Sequence, residues 1–463
     1  MSVEARNDHT DEIRGHLDEG REDEIRRLLE GLHSSDIGRL LGSLEEEEAM
    51  RVFRLLPPEQ ASAVILEVDE RLRKVLISSI SSEELIEVVH EMETDDAADV
   101  ISELPVEDAR QVLEGIDRQE AIAVQKLLVY PEDTAGGKMQ AELASVPETA
   151  TVEGAIEEVR RKAAVIENIS SVFVVDHGGM LIGAVPLDRL ILAGPRTRII
   201  EITNRDAIRV RTDMDQEEVA KLFQKYDLIS VPVVDSDGRL VGRITIDDIV
   251  DVLEEEIFED FYKMAGLNIG ARALDPPSRA IRMRVPWLFL NLITASAAAG
   301  IVKIFEGTIE QLVILAVLMP IVAGMGGNAA TQTITVVVRA LALGEITFKN
   351  AKWLLMKEVV VGFSNGFLTG AVAGLIAYLL GASVYVGLLL FLAMIANMMV
   401  AGLIGSIMPL ILKRYNFDPA ISSSIFVTAS TDVGGFFTFL GLATIFMKTG
   451  LLCMKRGIIK TGP

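Results

Sequence analysis

Apolar positions change their period along the chain, and these changes divide it into segments. From about residue 21 to 135, nine short stretches such as DEIRRLLEGL and TDDAADVISEL have apolar residues three or four apart after an acidic or polar start. Short amphipathic helices in series predict an α-solenoid, here a helical acidic N domain over 21–137. Residues 1–20 are polar and show no such period, so they are predicted to be disordered.

An internal repeat follows the segment YPEDTAGGKM at 130–139. SVFVVDHGGMLIGAVPLDRL (171–190) aligns without gaps with SVPVVDSDGRLVGRITIDDI (230–249), an offset of 59 residues. Each copy has a β run, a glycine turn, a second β run and a helix start, and an amphipathic helix precedes it. We therefore predict a tandem α/β pair over residues 138–249.

Long apolar segments dominate the rest of the chain, at about 285–305, 312–337, 359–380, 386–412 and 421–447. They predict a five-helix, all-α transmembrane domain over 281–450, followed by a tail at 451–463. Three arginines in SRAIRMR (278–284) indicate that the side before the first span is cytoplasmic. Five spans then put the basic tail outside, against the same rule. Glycines at four-residue spacing in the third span predict close helix packing: Gly362, Gly366, Gly370 and Gly374.

The net charge of −23 is divided unevenly along the chain. Residues 1–270 hold 29 Lys+Arg and 60 Asp+Glu, whereas residues 271–463 hold 15 and 7. An acidic soluble part disfavours nucleic acid as a partner and suits cations. The single cysteine, Cys453, excludes an internal disulfide and a thiolate metal cluster. The N-terminus is polar and has no apolar segment, so we expect no signal peptide.

The most acidic segment is DDIVDVLEEEIFED (247–260), which also has an apolar face and predicts an amphipathic connecting helix within 250–280. Acids three and four apart repel one another, and divalent cations are the natural compensation. A solvated acidic face is the alternative. The candidate cation ligands here are Asp247, Asp248, Asp251, Glu254, Glu255, Glu256, Glu259 and Asp260. Asp95, Asp96 and Asp99 form a second candidate cluster on one helix of the N domain.

Asp432 is the single acid within the predicted spans. A carboxylate at bilayer depth costs several kcal/mol and normally faces a partner or a water-filled path. Because the five predicted spans hold no Lys or Arg except Lys303, near the end of the first, we predict a cation site in a pore. The alternative is a polar residue that holds two helices together.

The second span contains LMPIVAGMGGNAATQ (318–332), whose proline and glycines make its backbone irregular. Such backbone is tolerated within a membrane where it lines a cavity. The residues predicted to line the pore are Pro320, Gly327, Asn328, Thr331 and Gln332.

The tandem repeat resembles a pair of CBS domains. Such pairs commonly bind adenine nucleotides, and the second copy keeps the residues typical of that site: Gly242, Thr245 and Asp248. The first copy has Pro186 and Arg189 at the corresponding places. The resemblance therefore implies ATP binding in one half-site, and a structural pair without ligand is the alternative.

The chain as a whole resembles the MgtE family of magnesium channels. The second span is similar to the family's glycine-rich signature, and TDVGGFFTFLGLAT (431–444) to its last-span signature. PEDTAGG at the first boundary and DPA (418–420) also match, while Ala330 stands where the signature usually has Gly. The resemblance implies a homodimer in the cytoplasmic (inner) membrane, in contact with lipid, with cytosolic N-terminal domains. It also implies a pore at the dimer interface with Asp432 as its Mg2+ ligand, and regulatory Mg2+ sites on the connecting helix and at Asp418.

These observations predict passive Mg2+ influx, gated by intracellular Mg2+ on the acidic domains, and no enzymatic activity. No GxxxxGK[ST] run for nucleotide hydrolysis occurs. Three alternatives remain open at this point. The first is a channel for Co2+ or Mn2+, the second a metal sensor that transports nothing. The third is an intramembrane aspartyl protease, which would need two carboxylates sharing a proton.

Overall fold

The computed structural model describes residues 3–449 except 164–165, 167, 268–270, 272–275, 347–348 and 421–422. The predicted tail, residues 451–463, and residues 268–270 and 272–275 of the predicted connecting segment lie outside the described residues. The chain divides into two compact units, Met1–Leu253 and Glu254–Pro463.

The first unit begins with a row of short helices, ten within the described residues. They are α1 (Val3–Asp18), α2 (Glu22–Leu29), α3 (Ser34–Leu41), α4 (Glu46–Phe53), α5 (Pro58–Leu66), α6 (Glu70–Ser79), α7 (Ser82–His90), α8 (Thr94–Ser102), α9 (Val106–Gly115) and α10 (Arg118–Leu127). Side chains cap several of them, as where Ser81 and Glu84 form a capping box at α7. Alternate helices pack on each other, α3 on α5, α5 on α7 and α7 on α9. This is the predicted α-solenoid.

The prediction of disorder at residues 1–20 is wrong over residues 3–18, which form α1. Ile13 and Leu17 lie on one face of α1, are 0% and 4% exposed, and join the core of the unit. Arg14 Nε also donates a 3.3 Å hydrogen bond to Glu48 Oε2 of α4. Two apolar residues four apart are enough to dock this helix, but they are too few to produce a visible period.

The internal repeat forms two three-stranded sheets of the same topology. The elements are β1 (Ser145–Pro147), α11 (Val152–Lys162), β2 (Ser171–Val175), β3 (Leu181–Pro186), α12 (Leu187–Leu192), α13 (Ile199–Ile202), β4 (Val210–Arg211), α14 (Gln216–Tyr226), β5 (Ser230–Val234) and β6 (Leu240–Thr245). In each sheet the first pair of strands is parallel and the second antiparallel. Val172 pairs with Val185, and Val231 pairs with Ile244, so the register repeats as the sequence offset predicted.

The connecting helix, α15 (Ile246–Met264), starts directly after β6 and is thus continuous with the second repeat. After it come α16 (Pro277–Ile304), the short α17 (Glu306–Gln311), α18 (Ile314–Ala342), α19 (Ala351–Leu379), α20 (Val384–Arg414) and α21 (Ser423–Lys448). Five of the described helices are long and apolar enough to cross a membrane: α16, α18, α19, α20 and α21. The predicted five spans are confirmed.

The glycine ladder of the third span brings α19 against α20. A Cβ at Gly362 would lie 2.6 Å from the carbonyl oxygen of Met398, and one at Gly374 would lie 2.8 Å from that of Gly387. A real Cβ does not come so close to a backbone atom. The two helices therefore pack backbone against backbone, as the spacing predicted.

Candidate functional site

A stripe of polar and small residues runs along one exposed side of α18. We call it the α18 stripe; it comprises Pro320, Gly324, Asn328, Thr331 and Thr335, which are three or four residues apart and exposed within the chain. The hydroxyl of Thr331 donates to the carbonyl of Gly327 (3.0 Å), and that of Thr335 donates to the carbonyl of Thr331 (2.9 Å). The amide of Asn328 is exposed as well. Such a stripe is unfavourable against lipid, so it is expected to face water or a second chain.

Asp432 lies on α21, which packs against α18. The residue is half-buried and has no hydrogen bond or ion pair to any of the described residues. The neighbouring hydroxyls are already bonded within their own helix, Ser430 to the carbonyl of Phe426 and Thr431 to that of Thr428. Within the described part of this chain, Asp432 therefore depends on water, a cation or a second chain for compensation.

Two buried polar residues of the spans were missed by sequence reasoning. Glu358 lies within α19, is 6% exposed, and accepts a 3.3 Å hydrogen bond from Thr333 of α18. The expectation that Asp432 is the single acid of the spans is therefore wrong, because α19 begins at Ala351, before the predicted span. Asn397 of α20 is 1% exposed and donates a 2.7 Å hydrogen bond to the carbonyl of Val322.

Gln332 belongs to a different surface from the α18 stripe. Together with Glu358, Lys357 and Asn365 it lines a cavity of about 230 Å³ between α18, α19 and α20. The other residues predicted to line the pore lie on or beside the α18 stripe, with Gly327 partly buried next to Asn328.

A lysine links two of the predicted regulatory acids. The ammonium of Lys263, in the last turn of α15, forms ion pairs with Glu259 and with Asp418, whose Oδ2 lies 2.5 Å from Nζ. Burial lowers the pKa of Lys263, but hydrogen bonds and charge from Asp418 and Glu259 outweigh it, so its pKa is raised. Asp418 Oδ1 accepts from the backbone N–H of Ala420 (2.7 Å). Glu259 and Asp418 are thus both paired with the ammonium of Lys263, a cation that the chain itself supplies.

A cluster of carboxylates lies between α8 of the N domain and the start of α15. We call Asp95, Asp96 and Asp248 the buried acid cluster. Asp95 is 7% exposed, and its Oδ1 has no hydrogen-bond partner among the described residues. Burial and then repulsion from Asp248 raise the pKa of Asp95 well above its usual range, and raise that of Asp96 to about 7. Burial also raises the pKa of Asp248 to about 6.

The linker after the N domain is hydrogen-bonded to the start of α8, the helix that carries Asp95 and Asp96. Thr94 Oγ1 donates to Glu142 (2.7 Å), and Gln140 Nε2 donates to Glu93 (2.6 Å). The acids of the cluster are therefore held together although they repel one another. The sequence grouped Asp95 and Asp96 with Asp99, and nothing local indicated that Asp248 would join them.

The predicted nucleotide residues lie in this same region. Asp248 accepts hydrogen bonds from the backbone N–H (3.3 Å) and the hydroxyl (2.8 Å) of Thr245. A Cβ at Gly242 would lie 2.7 Å from the carbonyl oxygen of Gln140, so the linker covers this glycine closely. Asp248 is thus hydrogen-bonded to Thr245 and lies beside the other acids of the cluster.

The other predicted acids are spread along α15. Asp247, Asp251, Glu254 and Glu255 are exposed, and Glu256, Glu259 and Asp260 are partly buried. Asp99 lies near enough to Asp96 to raise its pKa. Among the described residues, no three or more His, Cys, Asp or Glu side chains are arranged to hold a metal ion by themselves.

Known protein families match the chain in three places. Residues 319–442 match the family MgtE, described as divalent cation transporter, and residues 32–133 match the MgtE intracellular N domain. Residues 136–195 and 199–255 each match the CBS domain.

Curated relatives match most of the chain. The chain is 36% identical over 341 residues to the magnesium transporter MgtE of Thermus thermophilus, covering 72% of this chain and 74% of the relative. It is 33% identical to the protein of that name from Enterococcus faecalis, over 71% and 73% of the two chains. Among solved structures, the cytosolic domain of the Mg2+ channel MgtE in complex with ATP has a TM-score of 0.50 and 37% identity. The match covers 52% of this chain and 99% of the chain in that structure.

Proposed function

The chain belongs to the MgtE family of divalent cation transporters, a multi-pass membrane protein with cytosolic domains, and from this we propose that it conducts Mg2+ passively into the cell. The observation that carries the proposal is Asp432, a carboxylate in a spanning helix without a partner among the described residues, on the helix that packs beside the α18 stripe. Mg2+ gives up its water reluctantly, so neutral polar groups and one carboxylate suit an ion held through its waters.

The membrane potential would drive this flux. A charge crossing the membrane gains about 2.3 kcal/mol per 100 mV, so a divalent ion gains about twice that amount. This driving force, together with the absence of a nucleotide-hydrolysis motif from the sequence, supports passive influx.

The proposed assembly is a homodimer with the pore at its interface. The α18 stripe is exposed on the surface of one chain and Asp432 is half-buried, and a second copy would turn the stripe into a lined path. Light scattering in mild detergent should give a protein mass near twice the chain mass of 50.4 kDa. A mass of one chain under conditions that preserve flux would contradict the dimeric pore.

We further propose that cytoplasmic Mg2+ closes the pore by bridging the acids of the cytosolic region. The buried acid cluster supports this, since its carboxylates repel one another and have no basic partner in the contacts described above. Asp418 and Glu259 were expected to bind regulatory Mg2+, but both are paired with Lys263. A Mg2+ ion at these carboxylates must displace the ammonium of Lys263 or bind beside it. The regulatory role of the α15 acids therefore centres on those outside this ion pair.

Nucleotide binding stays a prediction, and it is supported mainly by one related structure. The related cytosolic domain was solved with ATP, but Asp248 here is hydrogen-bonded to Thr245 and partly buried near Asp95. No step of the proposed mechanism depends on a nucleotide.

The flux of competing ions is the test of this function. Proteoliposomes containing the full chain should take up Mg2+ when the interior is made negative, and Mg2+ should outcompete Co2+ and Mn2+ for entry. Preference for Co2+ or Mn2+ would favour the alternative of a channel for another divalent cation, since carboxylate and water ligands suit several such ions. No flux of any divalent ion would favour a sensor instead.

A further inference from the structure

One buried amide, that of Asn397, contacts both helices of the proposed ion path. Asn397 lies near the middle of α20, and its Nδ2 donates to the carbonyl of Val322 in α18. Its Oδ1 is buried without a hydrogen-bond partner among the described residues. A buried amide with an unpaired atom costs more free energy than an apolar side chain of the same size. Its presence therefore calls for a role beyond filling space.

Two glycines form the notch that receives this amide. A Cβ at Gly326 of α18 would lie 2.3 Å from Asn397 Nδ2, and a Cβ at Gly435 of α21 would lie 2.9 Å from Oδ1. Neither glycine could therefore gain a side chain unless the amide or a helix moved. Gly435 is three residues after Asp432, and Gly326 is two residues before Asn328. The amide thus touches both helices within one helical turn of the residues proposed to contact the ion.

We propose that Asn397 is a positioning residue that sets the spacing between α18 and α21 and thereby the ion selectivity of the path; this rests on the proposed Mg2+ conduction. Asn397 is buried behind the α18 stripe and does not touch the ion. Its hydrogen bond to Val322 fixes α20 against α18, and its volume fixes how closely α21 approaches. Mg2+ demands near-octahedral geometry, so a small change in this spacing alters how well its hydrated form is held.

Two substitutions test this: one removes only the hydrogen bond, and the other removes the volume of the amide as well. Asn397→Leu keeps the approximate size and removes the bond to Val322, whereas Asn397→Ala also empties the notch. In proteoliposomes we expect the ratio of Mg2+ flux to Co2+ flux to fall about five- to tenfold in both, the scale of one lost buried hydrogen bond. The cytoplasmic Mg2+ concentration that closes the pore should stay at its wild-type value.

Ser406→Ala is the matched control on the same helix. Its hydroxyl is also buried but donates only to the carbonyl of Gly402 in its own helix (2.6 Å), so the flux ratio should not change. An unchanged ratio in the Asn397 variants, or an equal fall in Ser406→Ala, overturns the inference. If Asn397→Leu does not assemble, Asn397→Ala decides by the same criterion. A wild-type protein that passes no Mg2+ would instead refute the proposed function before any variant is compared.

Discussion

Asp432→Asn is expected to reduce Mg2+ flux at least about a hundredfold while the protein still assembles. The substitution keeps the shape of the side chain and removes its charge. A divalent ion about 5.5 Å from a carboxylate gains roughly 6 kcal/mol at an effective dielectric constant near 20, and losing part of that is enough for the expected effect. Uptake of Mg2+ into proteoliposomes with a negative interior measures it.

Glu306→Gln serves as the control for charge removal near the membrane. Glu306 is an exposed acid at the start of α17, outside α18 and α21, and its neutralisation should leave flux at the wild-type level. Asp432→Asn with the wild-type mass and melting temperature but undiminished flux would remove Asp432 from the ion path. In that case the buried Glu358 would be the next acid to examine, because it is the other carboxylate within a described spanning helix.

Features that are local along the chain were predicted from the sequence. The short helices of the N domain, the offset of the repeat, the five spans and the glycine ladder each depend on residues within one segment. Local patterns also failed at two boundaries. At α1 the pair Ile13 and Leu17 was too sparse to show a period. The predicted third span began at residue 359 and so excluded Glu358, which lies two turns into α19.

Contacts between distant segments were beyond the sequence for a physical reason. The buried acid cluster joins α8 to the start of α15, and Lys263 meets Asp418 across 155 residues. Neither pairing leaves a period or a spacing to detect. Asn397, in LAMIANMMVAG, is a single polar residue within an apolar span, and only the notch made by Gly326 and Gly435 distinguishes it. The sequence therefore predicted several of the candidate site residues, but only the folded structure shows which of them contact one another.

The second large effect concerns the response to cytoplasmic Mg2+. Neutralising the buried acid cluster, as Asp95→Asn, Asp96→Asn and Asp248→Asn together, should lower flux at low Mg2+ and flatten the dependence of flux on Mg2+. The reason is that Mg2+ acts, in our proposal, by offsetting repulsion that the triple variant no longer has. A ligand can shift such an equilibrium only by its different affinity for the two states. The measurement is flux recorded while Mg2+ on the cytoplasmic side is raised. The control is a second triple variant, Glu47→Gln, Glu107→Gln and Asp108→Asn, which neutralises three exposed acids of the N domain.

The same repulsion predicts how the metal-free protein depends on pH. An Asp whose pKa is higher in the folded state binds its proton more tightly there, so stability is greatest at low pH and falls as pH rises. For Asp96 the fall runs from its ordinary pKa near 3.8 to about 7, and amounts to about 4 kcal/mol. Melting temperatures in a chelator should therefore decline over this window and level off above it, and Mg2+ should restore the loss at pH 7.5. The triple variant should show neither the decline nor the rescue. If it melts and closes as the wild type does, cytoplasmic Mg2+ acts elsewhere, and the exposed acids Asp247, Asp251 and Glu255 of α15 become the sites to neutralise.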